Sequence, residues 1–435
     1  MLKRLHVKGY KSLSDLEITL QPLSVLFGPN AAGKSNLLDL LQLLSRMVTS
    51  RTLKEAFDAP YRGKPLESFT FGTDGIRGLL AKQTISFTVE ADVELSRRVI
   101  ESVDRQIADL KRGSGPGDPN KGPSGGSSLT FVREKRLRYR IEVEVLPKSG
   151  FLRVADEYLA ALNTKGVPTG KRKPFLDKVR GKLHLRMEGQ AHPTYHDLYL
   201  DHSVLSLPLY PPHYPHLVAL RQELASWHFF YFEPRERMRA PNPVKEVRHI
   251  GLMGEELAAY LNTLRTSDEA QFKALQDALR LVIPSVEGVE VEPNDIGEVE
   301  LRLLEEGIAV PARILSEGTL RALGLLALFA GKETPALIGF EEPENGIHPR
   351  RIRTIAEVLK TRATESDTQL IVTTHSPTLV DLIPNEFLYV CQKKGGSTSI
   401  RPFRTWGSLA RTADIDKALD ELSVSGRIMR GDFDA

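Results

Sequence analysis

Residues Gly28-Pro29-Asn30-Ala31-Ala32-Gly33-Lys34-Ser35 fill every position of the pattern G-x-x-x-x-G-K-[ST]. The apolar run Leu23–Phe27 precedes them, and Asn36-Leu37-Leu38-Asp39-Leu40-Leu41 follows with helical spacing. A chain built this way must deliver a buried strand into a tight glycine turn and leave it through a helix, which commits this region to an α/β layer. Glycines allow backbone N–H groups to turn inward around phosphate oxygens, and the helix N-terminus adds positive potential. The pattern predicts a nucleoside triphosphate site. Asn30, Ala31, Ala32, Gly33 and Asn36 would line it, Lys34 would reach the β- and γ-phosphates, and the Ser35 hydroxyl would ligate Mg²⁺.

Three further segments supply chemistry to match. Leu315-Ser316-Glu317-Gly318-Thr319-Leu320-Arg321 opens an apolar helix ending near Ala330. Ser316 suits its N-cap, leaving N–H groups aimed at an anion, although capping alone explains a serine there equally well. The buried-strand run Ala336–Phe340 leads into Glu341-Glu342-Pro343-Glu344, then Asn345-Gly346-Ile347-His348-Pro349. Acidic residues at a strand's C-terminal end lie where open α/β sheets bind ligands. Glu341 would stand near Mg²⁺, and Glu342 would orient or deprotonate the water attacking the γ-phosphate. A solvated acidic strand end is the plainer alternative. Gln369–Thr373 then delivers Thr374-His375-Ser376-Pro377, placing a polar histidine at the tip of a second buried strand. There His375 can hydrogen-bond the γ-phosphate or the water.

The rest of the chain bounds the picture. Its 435 residues predict two or three domains, and a formal net charge of +3 announces no overall basic field. The one cysteine, Cys391, excludes an internal disulfide framework. With no signal-peptide pattern in Leu2–Val7 and no apolar stretch long enough for a bilayer, it predicts a cytoplasmic protein without a membrane partner. Three short strands lead into the phosphate loop. Thr84–Leu95 and Leu137–Leu146 alternate with the two-residue period of half-buried strands. Between them Arg97–Arg112 reads as a helix and Gly113–Ser128 as a flexible loop, its Gly/Pro/Ser content being too poor in apolar surface to order itself. Residues 150–290 read as mixed and mainly helical. Six histidines fall between His192 and His228, but His192, His196, His202, His213, His216 and His228 match no ligand spacing, so surface or core roles are favoured over a metal site. From Val299 strands and helices alternate. Four regions follow: 1–95, which holds the phosphate loop; 96–136, a flexible insertion; 137–290, strand continuation plus a mainly helical insertion; and 291–435, which holds the Leu315–Arg321 segment, the acidic strand end and His375.

These four segments, in this order, resemble the ABC-type ATPases over most of the chain outside about 96–290. Leu5-His6-Val7-Lys8-Gly9-Tyr10-Lys11-Ser12-Leu13, followed by GPNAAGKSNLLD, resembles the branch containing RecF, SMC and OLD proteins. The resemblance implies an α/β, ABC-ATPase-like P-loop fold with a mixed sheet, an antiparallel β subdomain and a helical insertion. It makes LSEGTLR the signature motif, EEPENGIHP Walker B with the D-loop, and His375 the switch histidine. Sites in that family are composite, so Ser316 and Gly318 would contact ATP held by a partner copy's Lys34, and ATP with Mg²⁺ would close a head-to-tail homodimer. Lys11 sits where the branch often carries a basic residue near the nucleotide; an exposed surface lysine is the alternative. Glu341 stands where Walker B usually has Asp, as in many OLD-like ATPases. The glutamine loop is not placed, Gln83 being one candidate. Sustained heptads are absent, which excludes SMC-type arms. The stretch after His375 is too short for a Toprim nuclease, and Asp432-Phe433-Asp434 reads as part of a disordered, non-catalytic tail.

The function this implies is an ATPase switch acting with a separately encoded effector, most naturally a nuclease, in bacterial anti-phage or genome defence. The alternative is a RecF-like ATPase that clamps DNA for repair, using the basic clusters Arg133–Arg140, Lys165–Arg186 and Arg235–Arg239. A transporter subunit fits poorly, because the signature lacks the Gly-Gln stretch of those proteins.

Overall fold

Two compact units build the fold, and the computed structural model describes residues 1–113, 131–170, 172–188, 192–331, 334–405 and 423–429. Most of the Gly/Pro/Ser segment and the Asp432–Asp434 stretch lie outside the described residues.

The first unit comprises Met1–Leu20, Asp39–Trp227 and Lys394–Ser399. It is built on an eight-stranded sheet in the order Leu13–Thr19, Leu2–Tyr10, Ile85–Glu94, Arg136–Leu146, Phe151–Ala161, Leu176–Val179, Lys182–Leu185, Thr194–Asp197. Every neighbour in it is antiparallel. Ile85–Glu94 and Arg136–Leu146 pair along their full lengths, and the buried residues of the latter alternate strictly with partly exposed ones, as their period of two requires. Between these strands the helix Arg97–Gly113 buries Val99, Ile100, Val103 and Ile107, a stripe with helical spacing.

Residues 150–200 correct the sequence expectation of a mainly helical segment. Phe151–Ala161 returns from Arg136–Leu146 as a hairpin, and the short strands Leu176–Val179 and Lys182–Leu185 turn through Arg180 and Gly181, both at positive φ (49° and 79°). That is the two-residue turn geometry usually marked by Asn-Gly; here Arg-Gly supplies it, so the usual signal is missing. The first two of the three strands expected to lead into the phosphate loop also belong to this antiparallel sheet, and only Leu23–Phe27 enters the other one.

The second unit comprises Gln21–Leu38, His228–Lys393 and Ile400–Ala435. Most of a six-stranded sheet lies in it, in the order Trp227–Phe230, Leu337–Glu341, Gln369–Thr374, Leu23–Phe27, Leu388–Lys394, Ser397–Pro402. The central pairings are parallel: Glu341 sits beside Thr373, Thr374 beside Phe27, and Phe27 beside Val390. Leu23–Phe27, Leu337–Glu341 and Gln369–Thr374 are buried at every residue, as strands covered on both faces must be. Phe232 meets Phe340 edge-on at 4.9 Å, and helix Glu317–Leu328 buries eight residues, Leu320, Leu323 and Leu326 among them. A smaller antiparallel sheet of Asn242–Pro243, Val286–Pro293, Glu298–Glu305 and Ile308–Pro311 lies in the same unit with helices Leu257–Ser267 and Glu269–Val282.

One polar knot sits inside the first unit. Glu157 is fully buried and accepts from Tyr139 Oη (2.8 Å), Ser203 Oγ (2.7 Å), Val204 N (2.7 Å) and Leu205 N (3.3 Å). Burial pushes its carboxyl pKa up while these donors pull it back. Replacing Glu157 with Ala strands the donors without an acceptor, at a cost of about 3 kcal/mol or more. A clear fall in the urea midpoint is expected, with Glu157→Gln falling less because it keeps one acceptor oxygen; an unchanged midpoint for the alanine variant would contradict this.

Candidate nucleotide site

Parallel register brings three loops to one edge of the second unit's sheet. Each begins where its strand ends: Gly28 after Phe27, Glu342 after Glu341, and His375 after Thr374. The phosphate loop is contorted as its sequence demands. Gly28 adopts φ +148°, Ala31 +61° and Gly33 +94°, and helix Lys34–Met47 starts at once. Only glycine fits at position 28, since an added Cβ would lie 2.1 Å from the Cys391 carbonyl oxygen.

Lys34 is 5% exposed, and its ammonium donates to Gly28 O (2.8 Å), Pro29 O (3.0 Å) and His375 Nδ1 (3.2 Å). An ammonium cannot accept, so Nδ1 is the acceptor and the ring proton resides on Nε2. That nitrogen lies 2.9 Å from Glu342 Oε1. Lys34, His375 and Glu342 thus form one hydrogen-bonded row across the three loops. Burial lowers the Lys34 pKa, opposed by the charges around it, Glu342 and Glu341 included. Burial, and then the Lys34 charge, hold His375 below the ordinary imidazole range, so it is neutral near pH 7.

Glu342 occupies the left-handed region at φ +51°, a conformation costing a non-glycine residue about 1 kcal/mol or more. Its N–H bonds Thr373 O (2.9 Å) and its carbonyl accepts from Asn345 N (3.0 Å), which hold the strained turn. Glu341, the last residue of its strand, is 8% exposed. A half-buried Ser35 hydroxyl and this carboxylate are hard oxygen donors, the chemistry that Mg²⁺ takes alongside phosphate oxygens.

Ser316 caps helix Glu317–Leu328, its Oγ accepting from Thr319 N at 3.0 Å. Gly318 lies against the acidic loop: a Cβ there would fall 2.1 Å from Gly346 O. Arg235 pairs with Glu317 (2.6 Å), and Arg239 donates to Leu315 O (2.7 Å), tying down the start of this helix.

Other sequence candidates fall elsewhere. Lys11, in the first unit, is no exposed lysine. Its side chain is 13% exposed and salt-bridged to Asp39 (2.7 Å), which also holds Arg62 (2.8 Å). Gln83 is exposed in the turn before Ile85–Glu94. Among the histidines, His216 is buried between Glu188 (2.6 Å) and the Glu134 amide (2.9 Å). Within the second unit His228 packs against His249, and burial drives its pKa to about 4. Among the described residues, no group of three or more metal-ligating side chains is placed to hold an ion. Within the basic clusters Arg138 pairs with Asp92 (2.6 Å), Arg140 with Asp156 (2.7 Å), Arg172 with Glu188 (2.5 Å) and Arg186 with Asp177 (2.8 Å), while Arg133, Lys135, Lys165 and Lys173 are exposed.

Sequence reasoning missed Glu344 and Thr374. Glu344 is 7% exposed and accepts the Thr374 hydroxyl through Oε1. Burial pushes its pKa up. A third carboxylate within EEPENG was visible, but its burial follows from strand register and could not be read.

The family whose model matches makes this chain an ATPase of the AAA type, and its fold is similar to that of SMC heads. The chain belongs to the family described as "AAA domain, putative AbiEii toxin, Type IV TA system", which matches residues 23–114 and 212–381. A 44-residue stretch is 46% identical to an OLD nuclease of Thermus scotoductus, covering 10% of this chain and only 8% of that protein. The SMC head bound to the C-winged helix domain of ScpA is similar in fold, with TM-score 0.50 and 11% identity over 92% of this chain and 97% of that one. An SMC head with an extended coiled coil, from Pyrococcus furiosus, aligns over 97% of this chain and 98% of its own at TM-score 0.47 and 10% identity. No helix among the described residues is long and apolar enough to cross a membrane.

Protonating His375 destroys the Nδ1 acceptor that Lys34 uses. Its pKa is depressed, so ATP turnover should persist as pH falls through about 6.5 and fail only at lower pH. A pH–rate profile at saturating ATP checks this, and an acidic limb centred at or above the ordinary imidazole value would count against it.

Proposed function

We propose that this ATPase binds ATP with Mg²⁺ in the loop Asn30–Asn36 and uses the cycle of binding and hydrolysis as a switch. The observation that carries the reading is the hydrogen-bonded row Lys34–His375–Glu342 across three converging strand ends. Lys34 neutralises charge on the β- and γ-phosphates. Ser35 and Glu341 hold the metal ion, which supplies charge neutralisation on the phosphate oxygens. Glu342 orients and deprotonates the attacking water, and neutral His375 fixes Glu342 while facing the γ-phosphate. Little covalent chemistry is asked of the protein, because phosphoryl transfer is accelerated mainly by positioning and charge.

Two copies close head to tail, with Ser316 and Gly318 of one against the nucleotide of the other. Nucleotide then acts as interface atoms, and assembly follows nucleotide state by mass action. Lys11 belongs to this reading only as a basic residue held by Asp39. The family's description supports a defence role; on this reading the switch controls a separately encoded effector, most naturally a nuclease, in the cytoplasm. A DNA clamp is the second reading; part of its basic clusters, Arg138, Arg140 and Arg186 among them, is paired with carboxylates.

Two substitutions test the mechanism. Lys34→Ala should abolish ATP binding and ATP-dependent association; unchanged affinity would overturn the loop assignment. Glu342→Gln should retain ATP affinity, lose turnover by roughly two orders of magnitude or more, and accumulate as a closed dimer visible by light scattering. Pull-down of that variant with ATP and Mg²⁺, before and after nuclease treatment, separates the biological readings. A stoichiometric protein that survives digestion supports the effector switch, and recovery of DNA alone supports the clamp.

A further inference from the structure

The contact between His375 and Glu342 joins two loops that have no covalent reason to stay in register, and both are partly exposed. Two cross-ties flank that contact. One is the amide of Glu342 on Thr373 O (2.9 Å). The other is the Thr374 hydroxyl on Glu344 Oε1. Thr374 is fully buried, and its Oγ1 also accepts from Ser376 N at 2.9 Å, so His375 is bracketed by two residues fixed on a single hydroxyl. Ser376 in turn caps the short helix Pro377–Asp381 through Leu379 N (3.3 Å). On the other loop, Glu344 lies two residues beyond Glu342, and Ile347 N bonds its carbonyl (3.0 Å).

We propose that Glu344 is a positioning residue for ATP hydrolysis: by accepting the Thr374 hydroxyl it clamps the loop carrying Glu342 to the strand end carrying His375. The proposal rests on the assignment of Glu342 and His375 given above. It explains why a carboxyl is buried where a solvated acidic turn would suffice, with Oε1 accepting the Thr374 hydroxyl. The desolvation of such a group is a cost that only a structural or functional return would justify. Without the clamp, Glu342 keeps its chemistry but loses its fixed distance to His375. A misplacement of about 1 Å can cost on the order of 100-fold in rate.

The test compares Glu344→Ala, Glu344→Gln, Thr374→Val and the Ala/Val double variant, each in the full chain, with Glu342→Gln alongside. ATP affinity should stay within about twofold for every clamp variant, while kcat for Glu344→Ala and Thr374→Val falls on the order of 10- to 100-fold. Glu344→Gln retains an acceptor for Thr374 and should recover most of that loss. Because both single changes break the same bond, the double variant should lose no more than the worse single one. Thr374→Val is nearly isosteric and keeps the test alive if Glu344→Ala does not fold. Parental kcat in the single variants, additive losses in the double, or a fall in ATP affinity matching the fall in kcat would overturn the clamp. Parental turnover in Glu342→Gln would instead overturn the site assignment beneath it.

Discussion

Parallel pairing of three buried strands is the constraint on which the candidate site depends. Thr374 beside Phe27 and Glu341 beside Thr373 decide where three loops begin, and so which side chains can meet. Side chains alternate faces along a strand, so a slip of one residue in either pairing would turn each strand's terminal side chain to the opposite face. Complete burial of these strands makes such a slip costly, because every residue is already committed to one face or the other. Precision at the loops is thus inherited from apolar packing several residues away.

Much of this was legible in the chain itself. The phosphate loop, the acidic strand end and the Thr-His-Ser-Pro loop each announce a strand and the residue it delivers, and the structure places Lys34, Glu342 and His375 in one row. Local signals sufficed where the chemistry sits within a few residues of a strand end. They failed where identity came from long-range pairing. Residues 150–290 read as mixed and mainly helical, although Phe151–Ala161 pairs with Arg136–Leu146 over its whole length and the turn between Leu176–Val179 and Lys182–Leu185 carries Arg-Gly in place of Asn-Gly. Glu344 looked like one more acidic loop residue, because nothing near it in sequence reveals that Thr374 buries it.

Charge tells a similar story at larger scale. Runs such as Arg133–Arg140 suggest a surface for polyanions when read alone. In the folded chain Arg138 stands opposite Asp92, Arg140 reaches diagonally to Asp156 on the next strand, and Lys11 shares Asp39 with Arg62. Cross-strand pairs of this kind stabilise a sheet modestly and remove the free charge that phosphate binding needs. At these paired positions, sequence clustering of basic residues measures strand composition more than electrostatic potential.

The contact of Gly318 with Gly346 bears on how a composite site would work. Two glycines let backbone meet backbone, with no side chain to absorb a displacement, so the start of helix Glu317–Leu328 and the acidic loop are coupled stiffly. Glu342 lies in that loop in a strained left-handed conformation held by two hydrogen bonds. Under the head-to-tail reading, an anion drawn to Ser316 and Gly318 presses on the same loop that orients this copy's own water-activating carboxylate. Occupancy of one nucleotide site would then be felt at the other through a single backbone contact. No longer pathway is required under that reading, because the start of helix Glu317–Leu328 and the acidic loop already touch.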